Sequence, residues 1–98
     1  MAIVFLTITP IGTGTPSVSR YVAGCERVLR DSGLKNELTA MGTIIEGDLD
    51  AILAVIRKMH ESPFTDGAVR VSTSIRIDDR RDKEHTIAGK VKSVREKL

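Results

Sequence analysis

The sequence predicts an α+β fold in which a four-stranded antiparallel sheet carries its helices on one face. Two observations support this. The hydrophobic period switches between two and 3.6 in the order strand, helix, strand, strand, helix, strand, followed by one more helix. Glycine, proline or aspartate stands near most of the switches, where the chain has to turn.

The elements follow in order. AIVFLTITP (residues 2–10) alternates two sets: Val4, Leu6 and Ile8 on one face, Ile3, Phe5, Thr7 and Thr9 on the other. That is a central strand with one greasy and one mixed face. From Val18 the spacing becomes helical, through Tyr21, Val22, Cys25, Val28 and Leu29. Pro16 suits a first turn, Thr15 or Ser17 can cap it, and Gly33 supplies the left-handed stop. KNELTAM and TIIEG read as two short strands in a hairpin closed around Met41 and Gly42. Asp48 caps a second helix whose stripe is Leu49, Ile52, Leu53, Ile56 and His60, and Pro63 and Gly67 end it. AVRVSTSIRID sends Val69, Val71, Thr73, Ile75 and Ile77 to one face, and Arg70, Ser72, Ser74 and Arg76 to the other. A third helix carries a narrow stripe, Ile87, Val91, Val94 and Leu98, suited to packing on a partner. The order βαββαβ plus a C-terminal helix is the ferredoxin-like plait, here one domain over residues 1–98. Its helix-free face is expected to show Phe5, Thr7, Thr9, Glu37, Thr39, Met41, Arg70, Ser72, Ser74 and Arg76. Too apolar for plain surface and too polar for a core, it reads as an oligomer interface.

Ninety-eight residues suffice for a single core, and with 3% aromatics that core must be aliphatic. Apolar runs such as AIVFL are far shorter than the roughly 20 residues of a membrane span. The first residues lack the pattern of a secretory signal, and one cysteine allows no internal disulfide, so a cytoplasmic protein is expected. A formal charge of +2 is too weak to argue for nucleic acid, so no nucleic-acid partner is expected. The excess sits in the last sixteen residues, with five Lys or Arg against two Glu, and reads as a solvated helix face.

The residues that can do chemistry are few. TPIGTGTPSVSRY (residues 9–21) lacks the Gly-Lys-Ser/Thr ending of a phosphate loop and the later glycine of a dinucleotide fingerprint. It is either a capped turn or a hydroxyl-rich wall for a polar ligand. His60 and His85 are far apart in sequence, and Cys25 sits on a core stripe, so no metal is expected. Asp78, Asp79 and Asp82 are interleaved with Arg80 and Arg81, which favours a salt-bridged turn over a cation site. No nucleophile has a base at a recognisable spacing, so the chain is not expected to be an enzyme. Glu46 ends an apolar strand; it either points to water or serves a ligand.

Taken together, PIGT…SVSRYV, MGTIIEGDLD and IRIDDRRD resemble the small thiamine-binding protein family, related to the YkoF-like binders of thiamine and hydroxymethylpyrimidine. The resemblance runs over nearly the whole chain. It implies the plait, assembly into dimers and tetramers through open sheet faces and C-terminal helices, and binding without catalysis. The pocket residues it implies are Pro10, Gly12, Ser17, Ser19 and Tyr21, then Met41, Thr43 and Glu46, and finally Asp79 and Arg80. Asn36 stands where the family is expected to have an aromatic residue.

Thiamine joins an aminopyrimidine to a cationic thiazolium. A carboxylate such as Glu46 suits the amino donor, hydroxyls of Ser17, Ser19 or Thr43 serve either neighbouring site, and Tyr21 or Phe5 can stack on a ring. Arg80 opposes the cation but favours a phosphate, unless it pairs with Asp78 or Asp79. The expected function is therefore binding of thiamine or a hydroxymethylpyrimidine-like molecule by a homo-oligomer, with no other cofactor. The alternatives are a protein-interaction module without a small ligand, and an enzyme acting on a phosphate ester through Arg80.

Overall fold

The structure is a computed structural model and describes residues 1–98. Its strands are β1 (Ala2–Pro10), β2 (Lys35–Leu38), β3 (Thr43–Gly47) and β4 (Val71–Asp79). Its helices are α1 (Ser19–Ser32), α2 (Leu49–Thr65) and α3 (Ile87–Arg95). The strands lie in the order β2-β3-β1-β4, every neighbouring pair antiparallel, as the ferredoxin-like plait requires.

Alternation along β1 builds the core. Ala2, Val4 and Leu6 point to the helices and are at most 1% exposed, joined by Ile45 of β3. Cys25 and Leu29 of α1 and Ile52, Ile56 and Met59 of α2 close over them. Gly33 ends α1 in the left-handed conformation at φ 75°, and the Asp48 carboxylate accepts from the Ala51 N–H to start α2.

Several expectations need correction. Neither Thr15 nor Ser17 caps α1: the helix opens at Val18 with no side-chain cap. Both residues serve the loop instead. Thr13 Oγ1 donates to the Thr15 carbonyl, and Thr15 Oγ1 accepts from the Ser17 N–H. β2 stops at Leu38, because Thr39 closes a four-residue turn by bonding both the N–H and the carbonyl of Gly42. Thr39 and Met41 therefore leave the open face, which consists of the rows Lys35–Glu46–Ile3–Asp78, Glu37–Ile44–Phe5–Arg76, Thr7–Ser74 and Thr9–Ser72. In α2, Met59 and Pro63 are buried where Leu53 was expected, and Leu53 is exposed. His60 is only half-buried and bonds Thr73 Oγ1 of β4 at 2.6 Å.

Pro63 does not end α2; the helix runs on to Thr65. A proline has no N–H, so the carbonyl four residues back, that of Met59, loses its helical partner. Cys25 Sγ, 3.4 Å away, donates to that oxygen. Burial holds the thiol protonated, pushing its pKa to about 11, with the neighbouring Glu26 carboxylate adding to the shift. One buried thiol thus makes an interior proline tolerable and ties α1 to α2.

Removing the thiol by Cys25→Ala is expected to cost about 1–3 kcal/mol in urea denaturation. In Pro63→Ala the N–H returns to Met59, and the same cysteine substitution should cost less, a positive coupling read from the double-mutant cycle. The shifted thiol also makes a pH prediction. Below about pH 9 both states hold the proton. From about pH 9 to 11 only the unfolded state has released it, so stability falls as pH rises through that window, by up to about 3 kcal/mol. Cys25→Ala should lose this alkaline slope.

Candidate functional site

Where α1 diverges from the end of the sheet, a cleft of about 280 Å³ opens on the helix side. Leu6 to Thr9 of β1 form its floor. Val18, Val22, Cys25 and Glu26 of α1 form one wall, Leu38 to Thr43 of the hairpin the other, and Met59 closes the back. This lies just under the roughly 300–1,000 Å³ range of ligand pockets, room for one small heterocycle.

Glu26 is the charged member of this lining. Thr43 Oγ1, buried on the core side of β3, donates to Glu26 Oε1 at 2.5 Å and fixes the carboxylate against the sheet. The remaining acceptor capacity of that carboxylate is available to a ligand donor. Met41 at the mouth is 81% exposed and Met59 at the back is buried, so polarisable thioethers mark both ends of the cleft. Gly42 keeps the hairpin close. A Cβ there would lie 2.6 Å from Phe5 Cζ and 2.9 Å from the Leu6 carbonyl, so any side chain would push the hairpin off β1.

The chain as a whole has counterparts in known proteins. The family model described as thiamine-binding protein matches residues 4–95. The UPF0045 protein YqgV of Bacillus subtilis is 51% identical over 102 aligned positions, covering all of this chain and 98% of the relative. The chain belongs to the thiamine-binding protein family. In the same family, the UPF0045 protein MJ1052 of Methanocaldococcus jannaschii is 44% identical over 93% of this chain and 89% of its own. The crystal structure of the hypothetical protein MJ1052 superposes with a TM-score of 0.87 at 41% identity, over 97% of this chain and 96% of that one. A Thermotoga maritima protein, provisionally described as acting in thiamine biosynthesis or salvage, shares the fold. Its TM-score is 0.77 at 19% identity, covering 95% and 97% of the two chains.

The ten residues implied by the family resemblance fall into two groups. Met41 and Thr43 line the cleft. Pro10, Ser17, Ser19 and Tyr21 are chain neighbours of the lining residues Thr9, Val18 and Val22, and Gly12 lies in the loop between them. The Tyr21 ring stacks under the Arg20 guanidinium, 4.7 Å from its centroid, and the Phe5 ring lies on the other face of the sheet. Glu46, Asp79 and Arg80 form the second group. Asp79 pairs with Ala2 and Thr43 with Leu6, roughly 13 Å apart along β1. Asp79 pairs with Arg81 and Arg80 with Asp82, which holds the Asp82 carboxyl down to about 2. Arg80 therefore takes neither Asp78 nor Asp79 as its partner. Asn36 turns back to the residue just before its own strand, donating to the Leu34 carbonyl.

Glu46 faces away from the cleft. It is 4% exposed on the open face, accepts from the Ile87 N–H at 2.7 Å, and lies 3.4 Å from Lys35 Nζ. It anchors the first turn of α3, where a carboxylate meets unpaired amides.

The residue that sequence reasoning missed is Glu26. One signal for it was present: position 26 lies on the flank of the α1 stripe, four residues after Val22 and three before Leu29, where a carboxylate is out of place. Removing the anchor by Glu46→Ala should strip protection from the Ile87 amide in hydrogen exchange and leave core amides such as Ile45 unchanged. Glu46→Gln, which keeps an acceptor, should retain most of that protection.

Proposed function

We propose that this protein binds thiamine or a related hydroxymethylpyrimidine compound, without catalysis, in the cleft between α1 and the β2–β3 hairpin. The observation that carries this reading is the Glu26 carboxylate. It is oriented by Thr43 inside a mostly apolar cleft, in a chain of the thiamine-binding family. A partly buried carboxylate accepts from an aminopyrimidine amino group and balances a nearby thiazolium. The hairpin carbonyls offer further acceptors to the amino group, and Met41 and Met59 supply apolar contacts to the ring. Glu26 takes the role the sequence had offered to Glu46.

A phosphate fits this cleft poorly beside Glu26, so the unphosphorylated vitamin or its pyrimidine part is the preferred ligand. No helix is long and apolar enough to cross a membrane. We place the protein in the cytoplasm, where a lone buried thiol stays reduced. We also propose homo-oligomerisation through the open sheet face: Ile3, Phe5 and Ile44 are only half-buried there, and Val91, Val94 and Leu98 beyond them are exposed.

Titration calorimetry with thiamine tests the site. Glu26→Gln should weaken binding by about 1.5–3 kcal/mol, roughly 10- to 150-fold. Glu46→Gln should change it less than threefold. The reverse ranking, or no heat with the wild-type chain, would overturn the assignment.

A further inference from the structure

Beyond β4, on the α3 side of the arginine-rich turn, the chain encloses a second cavity of about 700 Å³. Lys83 and His85 of the connection line one side of it. Gly89, Lys90 and Ser93 of α3, with Lys97 just beyond the helix, line the other. These helical positions recur at three- and four-residue spacing and so share one face. Gly89 and Ser93 are small, which keeps the space beside that face open.

His85 is the residue that asks for a ligand. It is 5% exposed, and its Nε2 has no hydrogen-bond partner. Asp78 Oδ2 lies 3.3 Å from it, near enough for charge attraction but not aligned for a bond, and that oxygen already accepts from Lys90 Nζ at 2.7 Å. A nitrogen lone pair beside a carboxylate oxygen would be repelled, so Nε2 carries the hydrogen. It is then a buried donor without an acceptor, which costs free energy. Asp78 and Lys90 both line the cavity, so the donor is turned toward it.

Around His85, donors outnumber acceptors. Lys90 uses one of its three ammonium hydrogens on Asp78, and Lys83 and Lys97 have no ion pair within the chain. Asp79 and Arg80, also in the lining, are paired with Arg81 and Asp82 outside it. Glu84 is the one lining acid without an ion pair. No three of the acids and histidines converge as a metal site would require. Nor does the helix start supply the site, because the Ile87 and Gly89 N–H groups already bond Glu46 and Thr86.

We propose that this cavity binds a small oxyanion of the phosphate class, free or as the phosphoryl end of a metabolite. One oxygen accepts from His85 Nε2. Others accept from Lys90 and the Ser93 hydroxyl and pair with Lys83 and Lys97, while the Asp78–Lys90 pair stays intact. The anion ties the connection to the far half of α3, whose own polar anchors end at its first turn. The site is separate from the cleft at Glu26, so either assignment can fail without the other.

NMR titration of the full chain with inorganic phosphate, and separately with ribose 5-phosphate, tests the proposal against sodium chloride at equal ionic strength. The His85 Nε2 resonance should move saturably with a phosphate probe and stay in place with chloride. Saturation should also slow hydrogen exchange at the Val91 and Val94 amides. The double variant Lys83→Ala/Lys97→Ala removes two exposed, unpaired side chains and should keep the wild-type amide spectrum while binding about tenfold more weakly. Tighter binding of ribose 5-phosphate would identify the phosphoryl end of a metabolite, and tighter binding of inorganic phosphate the free anion. Shifts that chloride reproduces, or a double variant that binds both probes as tightly as the wild-type chain, would refute the site.

Discussion

The two-residue alternation of β3 is the constraint on which the rest depends. Thr43 and Ile45 point to the helices; Ile44 and Glu46 point the other way. A shift by one residue would send Ile45 out of the core and bury Glu46 beneath α1 and α2 without Lys35 or the α3 amide. It would also carry the Thr43 hydroxyl away from Glu26 and so remove the oriented carboxylate from the cleft. Core, anchor and cleft are thus three results of one register. That register is held by the full pairing of β3 with β1 from Ala2–Gly47 to Leu6–Thr43.

What could be read from the sequence follows from the same physics. Strands and helices with clean periods, such as Val4-Leu6 or Tyr21-Cys25-Leu29, announced both their type and their buried face, because burial acts on each position independently. The misread elements are those whose fate depends on a distant partner. Pro63 reads as a breaker until Cys25, 34 residues before Met59 in sequence, is found beside the orphaned carbonyl. Thr15 and Ser17 read as caps, but the Thr15 hydroxyl accepts from the Ser17 N–H within the loop, and neither side chain caps the helix. Glu46 reads as a ligand group because a carboxylate ending an apolar strand needs an explanation. The explanation is α3, which returns to it from 41 residues downstream. Glu26 escaped notice for the converse reason: on one helix it looks like an ordinary surface glutamate, and only the arrival of Thr43 makes it part of a site.

The electrostatics of the molecule divide its two ends. At the far end, Asp78, Asp79 and Asp82 are held below the usual carboxylate range by Lys90, Arg81 and Arg80, so each acid there already has a cation. A ligand arriving at that turn must displace an existing pair. At the cleft, Glu26 is tethered by a neutral hydroxyl, and no ion pair neutralises it. A cationic or donor-rich ligand there gains a charge-assisted bond without breaking one. That difference is the physical reason to prefer the cleft over the arginine-rich turn as the binding site.

The third helix then has a limited but definite role. It has nine residues, too few to be stable alone in water, and none of them is buried. Its hold on the sheet comes from polar contacts at its start: Thr86 accepting from Gly89, Glu46 accepting from Ile87, and Asp78 bonding Lys90. These fix where the helix begins, but they bury little apolar surface, so most of its length gains nothing from the chain that carries it. The helix is anchored at one end and leaves Val91, Val94 and, just beyond it, Leu98 bare, so a contact that covered that stripe would add to its stability. The half-buried Ile3, Phe5 and Ile44 lie on the same side of the sheet. A single self-complementary contact through that face would therefore satisfy the helix and the sheet together.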